Sequence, residues 1–200
     1  LSTRFRKSLL DIDRILVINL LSHECIIKIK INKSNTSSFN ALSSFNNIIL
    51  GAQDSNVGSM FNIQDKLVYQ LHDVRNDTIL QKLTTFIYYY EPNEDKNTIA
   101  SPGSNVEEGI YEGNLQDWTI RNTSRFIPST IESGIFDQME NDSLLIADYI
   151  EENAKRKAKN LSPGDLYLFK THFNKLGIFK VNAVTGTNEG TINISLKIQQ

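Results

Sequence analysis

The sequence contains little cysteine, proline or net charge. Its single cysteine, Cys25, excludes a disulfide within the chain and a metal site built from several thiolates. Four prolines and ten glycines in 200 residues are too few for a collagen-like or low-complexity chain. The formal net charge of -2 provides no overall field to attract nucleic acid or an anionic membrane. We therefore expect a globular chain whose partners do not include nucleic acid.

Long apolar runs are also missing. A membrane-spanning helix needs about 18 or more apolar residues in succession, and the apolar stretch at 15–21 is far shorter. Basic residues precede this stretch, which is the outline of an export signal. Cys25 follows at the position of a lipidated cysteine. His23 and Glu24 precede it, however, whereas lipoprotein processing requires small residues directly before the cysteine. We interpret 1–44 as an amino-terminal extension and linker with a degenerate signal region, and a lipid anchor at Cys25 stays open.

Residues 45–200 form a single predicted domain. Runs rich in β-branched and aromatic residues predict strands in its first half, most clearly at 84–90. Shorter candidate strands are 48–50, 57–63 and 67–69. Apolar residues at helical spacing and capping residues predict helices over 71–83, from about Ile131, and over 143–159. A long polar loop with several prolines and glycines is expected at 91–117.

The carboxyl end has the clearest strand pattern. Apolar residues recur at every second position over 165–171, 176–184 and 191–198, and short segments of turn-forming residues separate these runs. Strands joined by short connections pair antiparallel, so the three runs predict a meander. The predicted fold class is α+β, with antiparallel β-sheet, a central helical segment and a carboxyl-terminal three-stranded meander.

Local motifs for catalysis or cofactor binding are missing as well. The sequence has no phosphate-binding glycine loop, no His-Glu-x-x-His zinc motif and no Gly-x-Ser-x-Gly turn. His23, His72 and His172 lie far apart, without the spacing of metal ligands, and we expect each at the solvated surface. We expect the basic cluster at 155–159 to stabilise the end of the predicted helix through the helix dipole, rather than to bind nucleic acid. No cofactor, metal site or catalytic residue is predicted.

Aromatic and arginine side chains in and after the long loop suggest a binding surface. Tyr111, Trp118, Arg121 and Arg125 are the candidate ligand-binding residues. Aromatic faces stack on a glycan or peptide, and arginine supplies planar hydrogen-bond donors. The alternative interpretation is that Trp118, together with Phe126, anchors the loop to the core.

A distinctive pattern begins at Gly164 and Asp165 and continues with Lys-x-Gly-x-x-Lys-Val at 175–181. Further distinctive segments are 48–63, 67–69, 85–92, 100–105, 117–126, 160–171, 177–186 and 190–199. In these segments the chain resembles a group of uncharacterised secreted proteins and lipoproteins from Bacteroidota-type bacteria, and the resemblance is strongest at the Gly-Asp and Lys-x-Gly-x-x-Lys-Val pattern. The resemblance implies an exported, envelope-associated protein rich in β-structure, and it assigns no active-site residue.

The first functional hypothesis is therefore a non-enzymatic envelope or secreted protein that binds a glycan, a peptide or another protein. A hydrolase with a dispersed active site is one alternative, and convergent carboxylates or a histidine of shifted pKa in a cleft would favour it. A structural module of a larger surface assembly is another, which an exposed apolar patch or unpaired sheet edge would favour. The predicted location is the cell envelope or the extracellular space, with the cytoplasm as the alternative.

Overall fold

The computed structural model describes residues 15–20, 23–28, 39–94, 96–111, 113 and 115–200. The chain divides into two compact units, Leu1–Ser38 and Phe39–Gln200. In the first unit, β1 (Ile15–Leu20) and β2 (His23–Lys28) pair antiparallel. The basic residues of the predicted export signal and the side chain of Cys25 lie outside what the structure describes.

The second unit contains two five-stranded antiparallel sheets. The first sheet has the order β3-β12-β11-β10-β8. Its strands are β3 (Leu42–Gly51), β8 (Arg125–Pro128), β10 (Leu166–Lys170), β11 (Leu176–Thr185) and β12 (Thr191–Gln199). The predicted carboxyl-terminal meander is confirmed, because β10, β11 and β12 are consecutive neighbours in this sheet. β3 begins three residues before the predicted start of the domain and pairs with β12.

The second sheet has the order β5-β4-β6-β7-β9. Its strands are β4 (Met60–Asn62), β5 (Leu67–Tyr69), β6 (Phe86–Glu91), β7 (Lys96–Ala100) and β9 (Lys157–Ala158). The aromatic run predicted as a strand is β6, and it lies at the centre of this sheet. The two outermost members, β5 and β9, are short.

The two sheets pack face to face around an aromatic core. Phe86 of β6 meets Phe169 of β10 with ring centroids 5.0 Å apart, and Phe126 of β8 at 5.3 Å. Period-two alternation directs these side chains to the inner faces, and residues such as Phe61 and Phe179 complete the same buried cluster. This inner core explains why the aromatic residues of the sequence concentrate in strands.

Short helices cover the outer faces of both sheets. They are α1 (Leu71–Arg75), α2 (Thr78–Leu83), α3 (Ser133–Gln138) and α4 (Ser143–Asp148). Val74 of α1 packs with residues 106–118 on the second sheet, while Phe136 of α3 and Leu145 of α4 pack on the first. The chain therefore has the predicted α+β fold with antiparallel sheets. None of the helices in the described part of the chain has the length and hydrophobicity needed to cross a bilayer.

Three predicted elements differ from the structure. The helix expected over 71–83 is broken, because the Asp77 carboxylate accepts hydrogen bonds from the Ile79 and Leu80 amides and starts a second helix there. The helix expected over 143–159 ends at Asp148, and β9 occupies part of its remainder. The loop expected at 91–117 contains β7. All five residues of β7 pair with β6, so only a short turn separates these two strands.

Candidate functional site

An open groove of about 570 Å³ lies beside the start of β10. We call it the β10 groove. Its walls come from the end of β8, the entry to α3, the residues after β9 and the turn that leads into β10. The lining residues are Pro128, Ser129, Ile131, Glu132, Ser133, Lys159, Asn160, Gly164, Asp165, Leu166 and Tyr167.

Tyr167 gives the β10 groove an aromatic wall. Its half-buried ring stacks on Phe179, with centroids 5.6 Å apart and planes inclined by 11°. The Tyr167 hydroxyl donates a hydrogen bond of 3.3 Å to the backbone oxygen of Lys159. Burial, with a smaller effect of Asp165, raises the pKa of this hydroxyl, so it remains a donor near neutral pH. The ring is thus held in position before any ligand arrives.

A tight turn places Asp165 in the lining of the β10 groove. Gly164 has φ +96°, a left-handed conformation that glycine adopts without steric cost. The Asp165 carboxylate accepts a hydrogen bond of 2.8 Å from the backbone N–H of Ser162, and the Asp165 carbonyl accepts one of 2.9 Å from Val181. The Gly-Asp pair that carries the sequence resemblance therefore shapes one wall of the groove.

Lys159 links the β10 groove to a buried charge network. Its Nζ lies 2.8 Å from Glu91 Oε2 and 2.9 Å from Glu94 Oε2. Glu91 Oε1 is also 3.1 Å from Lys157 Nζ and accepts a hydrogen bond of 3.0 Å from the Tyr89 hydroxyl. Burial alone would raise the pKa of Glu91, but hydrogen bonds from Lys159, Lys157 and Tyr89 outweigh that effect and lower it. Glu91 is therefore a buried, ionised carboxylate that orients two lysines.

The outer edge of β8 is closed where it borders the β10 groove. The Phe126 N–H donates to the Lys155 carbonyl at 2.7 Å, and the Lys155 N–H donates back at 2.9 Å. Pro128, the next residue that faces outward, has no N–H. The Ser129 N–H points toward β10, where it donates a hydrogen bond of 2.8 Å to the Leu166 carbonyl. An extended peptide therefore finds no free backbone donor along this described strand.

The predicted platform residues lie in different surroundings. Tyr111 and Trp118 both belong to the buried cluster on the second sheet and are only 3% and 6% exposed. The Tyr111 hydroxyl donates to the Tyr88 carbonyl at 2.6 Å. Arg121 is exposed and donates to the side-chain oxygen of Gln116. Arg125 begins β8 in the other sheet. The structure thus places the two rings in one buried cluster that does not include the arginines, and a binding role for the four residues stays a prediction.

A smaller cavity of about 220 Å³ lies beside Trp118. Its lining residues are Leu71, Arg75, Asn76, Gly113, Leu115, Asp117 and Trp118. Trp118 is thus a predicted platform residue that reaches a cavity. Within the described part of the chain, no group of three or more His, Cys, Asp or Glu side chains is placed to hold a metal ion.

The histidine and basic-cluster predictions need correction. Both ring nitrogens of His172 are buried rather than solvated, and its ring packs 3.7 Å from that of Phe173. Burial lowers the pKa of His172. His72 is exposed as expected, whereas the side chain of His23 lies outside the described residues. The basic cluster does not end a helix: Lys157 lies in β9 and pairs with Glu91.

Sequence reasoning did not identify the β10 groove as a site. Its residues come from two segments, 128–133 and 159–167, that carry no motif typical of a binding or catalytic site. The Ser-Pro-Gly-Asp turn at 162–165 is the one local signal, since it predicts a turn directly before an aromatic strand.

Comparison with known proteins supports the fold. No protein-family model and no curated protein matches the chain. The structure is similar to the crystal structure of a DUF4466 family protein from Parabacteroides merdae, with 13% sequence identity and a TM-score of 0.58. The match covers 89% of this chain but 57% of the other, so the chain spans little more than half the length of its structural neighbour. The likeness is consistent with the predicted resemblance to an uncharacterised family of Bacteroidota type.

Proposed function

We propose that this protein is a non-enzymatic binding protein of the cell envelope or the extracellular space, and that its ligand occupies the β10 groove. The observation that carries the proposal is the preset geometry of the groove: Tyr167, Asp165 and Lys159 are each fixed by interactions within the protein. Side chains that are already held in place lose little conformational entropy when a ligand binds. The groove is also large enough for a ligand of several rings.

A groove-filling variant tests whether the ligand binds there. Ser133→Trp adds a large ring to the lining, while Gln138→Trp adds the same ring at an exposed position of α3 outside the lining. The full chain would be screened against immobilised oligosaccharides and a random peptide library. We expect binding to one class, lost in Ser133→Trp and kept in Gln138→Trp. Equal binding by both variants would show that the ligand sits elsewhere.

The resemblance of segments such as 160–171 to secreted proteins supports export as part of the proposal. The test is fractionation of the native host with intact-mass measurement of the protein made from the full gene. We expect the protein in the envelope or the medium, and added lipid mass on Cys25 would establish an anchor. An unprocessed protein confined to the cytosol would contradict export.

A hydrolase is a second candidate function, because Glu132 and Asp165 line the same groove. Two carboxylates that flank a bound sugar are the catalytic groups of most glycoside hydrolases. Chromatography of any oligosaccharide that binds, before and after long incubation, distinguishes the two functions. Cleavage that is lost in both Glu132→Gln and Asp165→Asn would establish the hydrolase, and an unchanged ligand would support the binding protein.

A further inference from the structure

We infer that the β10 groove binds an uncharged oligosaccharide, an inference that rests on the binding function proposed above. It depends on four features of the groove: its aromatic wall, its mixed hydrogen-bonding groups, its charge and the closed edge of β8.

The aromatic wall suits the apolar C–H face of a sugar ring. Tyr167 lines the groove while Phe179 supports its ring from the core, so the ring is a rigid surface rather than a mobile side chain. Flat contact with an aromatic ring buries the C–H face of the sugar and leaves its hydroxyl groups at the ring edge. The polar residues of the groove are available at that edge.

The polar lining offers both donors and acceptors, as sugar hydroxyl groups require. Lys159 supplies ammonium donors, Glu132 and Asp165 supply carboxylate acceptors, and the Asn160 amide supplies both. Ser129 and Ser133 add hydroxyl groups. A sugar hydroxyl group both donates and accepts hydrogen bonds. A lining with donors and acceptors therefore matches it better than a lining with donors alone or acceptors alone.

The charge of the lining disfavours an acidic ligand. Glu132 and Asp165 carry two negative charges, while both nearby cations are already paired with carboxylates. Lys159 faces Glu91 and Glu94, and Lys180, 3.4 Å from Ser133 Oγ, lies 2.6 Å from Asp137. An anionic sugar or acidic peptide would face net repulsion at close range. The edge of β8 also offers no free backbone donor for the pairing by which extended peptides bind sheets. An uncharged saccharide satisfies both constraints.

The test is isothermal titration of the full chain with cellohexaose, mannohexaose and chitohexaose, compared with an acidic oligogalacturonate and with peptides from the library. We expect at least one uncharged oligosaccharide to bind, and the acidic one to bind more weakly or not at all. Tyr167→Ala should weaken binding about tenfold, as expected for loss of an aromatic contact. Tyr167→Phe, which keeps the ring, should retain most of the affinity.

A second variant guards against misfolding of Tyr167→Ala. Asn160 is exposed with φ +58°, so Asn160→Gly removes the amide at a position where glycine is well tolerated. Asn174→Gly is the matched control, since Asn174 is also exposed with φ +62° and lies outside the groove. We expect about a threefold to tenfold loss of affinity in Asn160→Gly, and none in Asn174→Gly.

Each contrary result has a distinct meaning. Peptide binding that is lost in Ser133→Trp would overturn the saccharide inference and leave the binding function intact. Preference for the acidic oligosaccharide would overturn the charge argument and with it the inference. Saccharide binding unchanged by both Tyr167→Ala and Asn160→Gly would refute this groove as its site. Failure of every ligand class would refute the binding function and the inference together.

Discussion

Two buried carboxylates, Glu91 and Asp142, stabilise different regions of the molecule by different chemistry. Glu91 lies at the end of β6, is 2% exposed, and contacts the ammonium groups of Lys157 and Lys159. Asp142 precedes α4, is fully buried, and accepts its hydrogen bonds from neutral groups. One region relies on charge pairing, and the other relies on amide donors.

The amide donors around Asp142 join three distant segments. Its Oδ1 accepts from the Asn40 backbone N–H at 2.8 Å, and its Oδ2 accepts from the Asn40 side chain at 3.1 Å and from Gln199 at 2.8 Å. The first residues of the second unit, the start of α4 and the last strand therefore meet at one side chain. Burial raises the pKa of Asp142, but these hydrogen bonds outweigh that effect and lower it.

A buried carboxylate thus stays ionised with either kind of partner, but removal of the carboxylate affects stability differently in the two regions. Removal of the Glu91 charge leaves Lys157 without its carboxylate partner and Lys159 with Glu94 alone, whereas removal of the Asp142 charge leaves neutral amides with a weaker acceptor. Uncompensated buried charge costs more than a weakened neutral hydrogen bond. We therefore expect effects in the order given below.

Glu91→Gln should have the largest effect. It keeps the shape of the side chain but removes the charge between Lys157 and Lys159, so the free energy of unfolding should fall by about 3 kcal/mol. Urea denaturation at neutral pH measures the change. The control is Glu152→Gln, the same substitution at an exposed position, and equal effects of the two variants would refute the importance of the buried network.

Asp142→Asn should destabilise the protein less, by about 2 kcal/mol. The amide replaces a charged acceptor, and its own N–H₂ group then faces the donors of Asn40 and Gln199. The same denaturation experiment applies, with Asp54→Asn at an exposed position as control. A loss larger than that of Glu91→Gln would reverse the proposed order.

Acid titration should separate the contributions of the two carboxylates. Because the pKa values of Glu91 and Asp142 are lowered in the folded protein, each contributes stability above its ordinary pKa, 4.5 and 3.8, which is lost as pH falls through the folded value. Below about pH 4.5 the stability of the wild type should therefore fall more steeply than that of either variant. Parallel curves for wild type and both variants would contradict the lowered pKa values.

Glu94→Gln should have the smallest effect on stability. Its carboxylate is solvent-accessible, and hydrogen bonds from Lys159 and Lys96 lower its pKa to about 2. Ion pairs between side chains that are this exposed are screened by salt and contribute little to the stability of a protein. Thermal unfolding at low and high salt should give a midpoint close to that of the wild type in both. A midpoint as low as that of Glu91→Gln would show that Glu94, rather than Glu91, organises the lysines.

The strands of the meander could be predicted because their signal is local. Apolar residues such as Ile192, Ile194 and Leu196 alternate along one strand, and all three face the inner core. β9 could not be predicted, because Lys157 and Ala158 carry no alternation and form a strand only by pairing with β7, far away in the chain. Their near neighbours in the sequence predict a helix end there instead.

The candidate site was harder to predict than the fold. Trp118 and Tyr111 looked like a binding surface by residue type, yet both lie buried on the second sheet. The sequence indicates only that Tyr167 belongs to a strand, although it lines the β10 groove. Residue type indicates what a side chain is able to do, and exposure depends on which elements pack over it.

The sequence by itself determined the fold class, the antiparallel meander and the shortage of local catalytic motifs, because alternation, turn residues and motifs are all encoded by near neighbours. Tertiary structure alone decided that Glu91 receives Lys157 and Lys159, that Asp142 joins both ends of the second unit, and that Tyr167 lines a groove. These contacts join residues far apart in the chain, and they form only when packing of the two sheets brings those residues together.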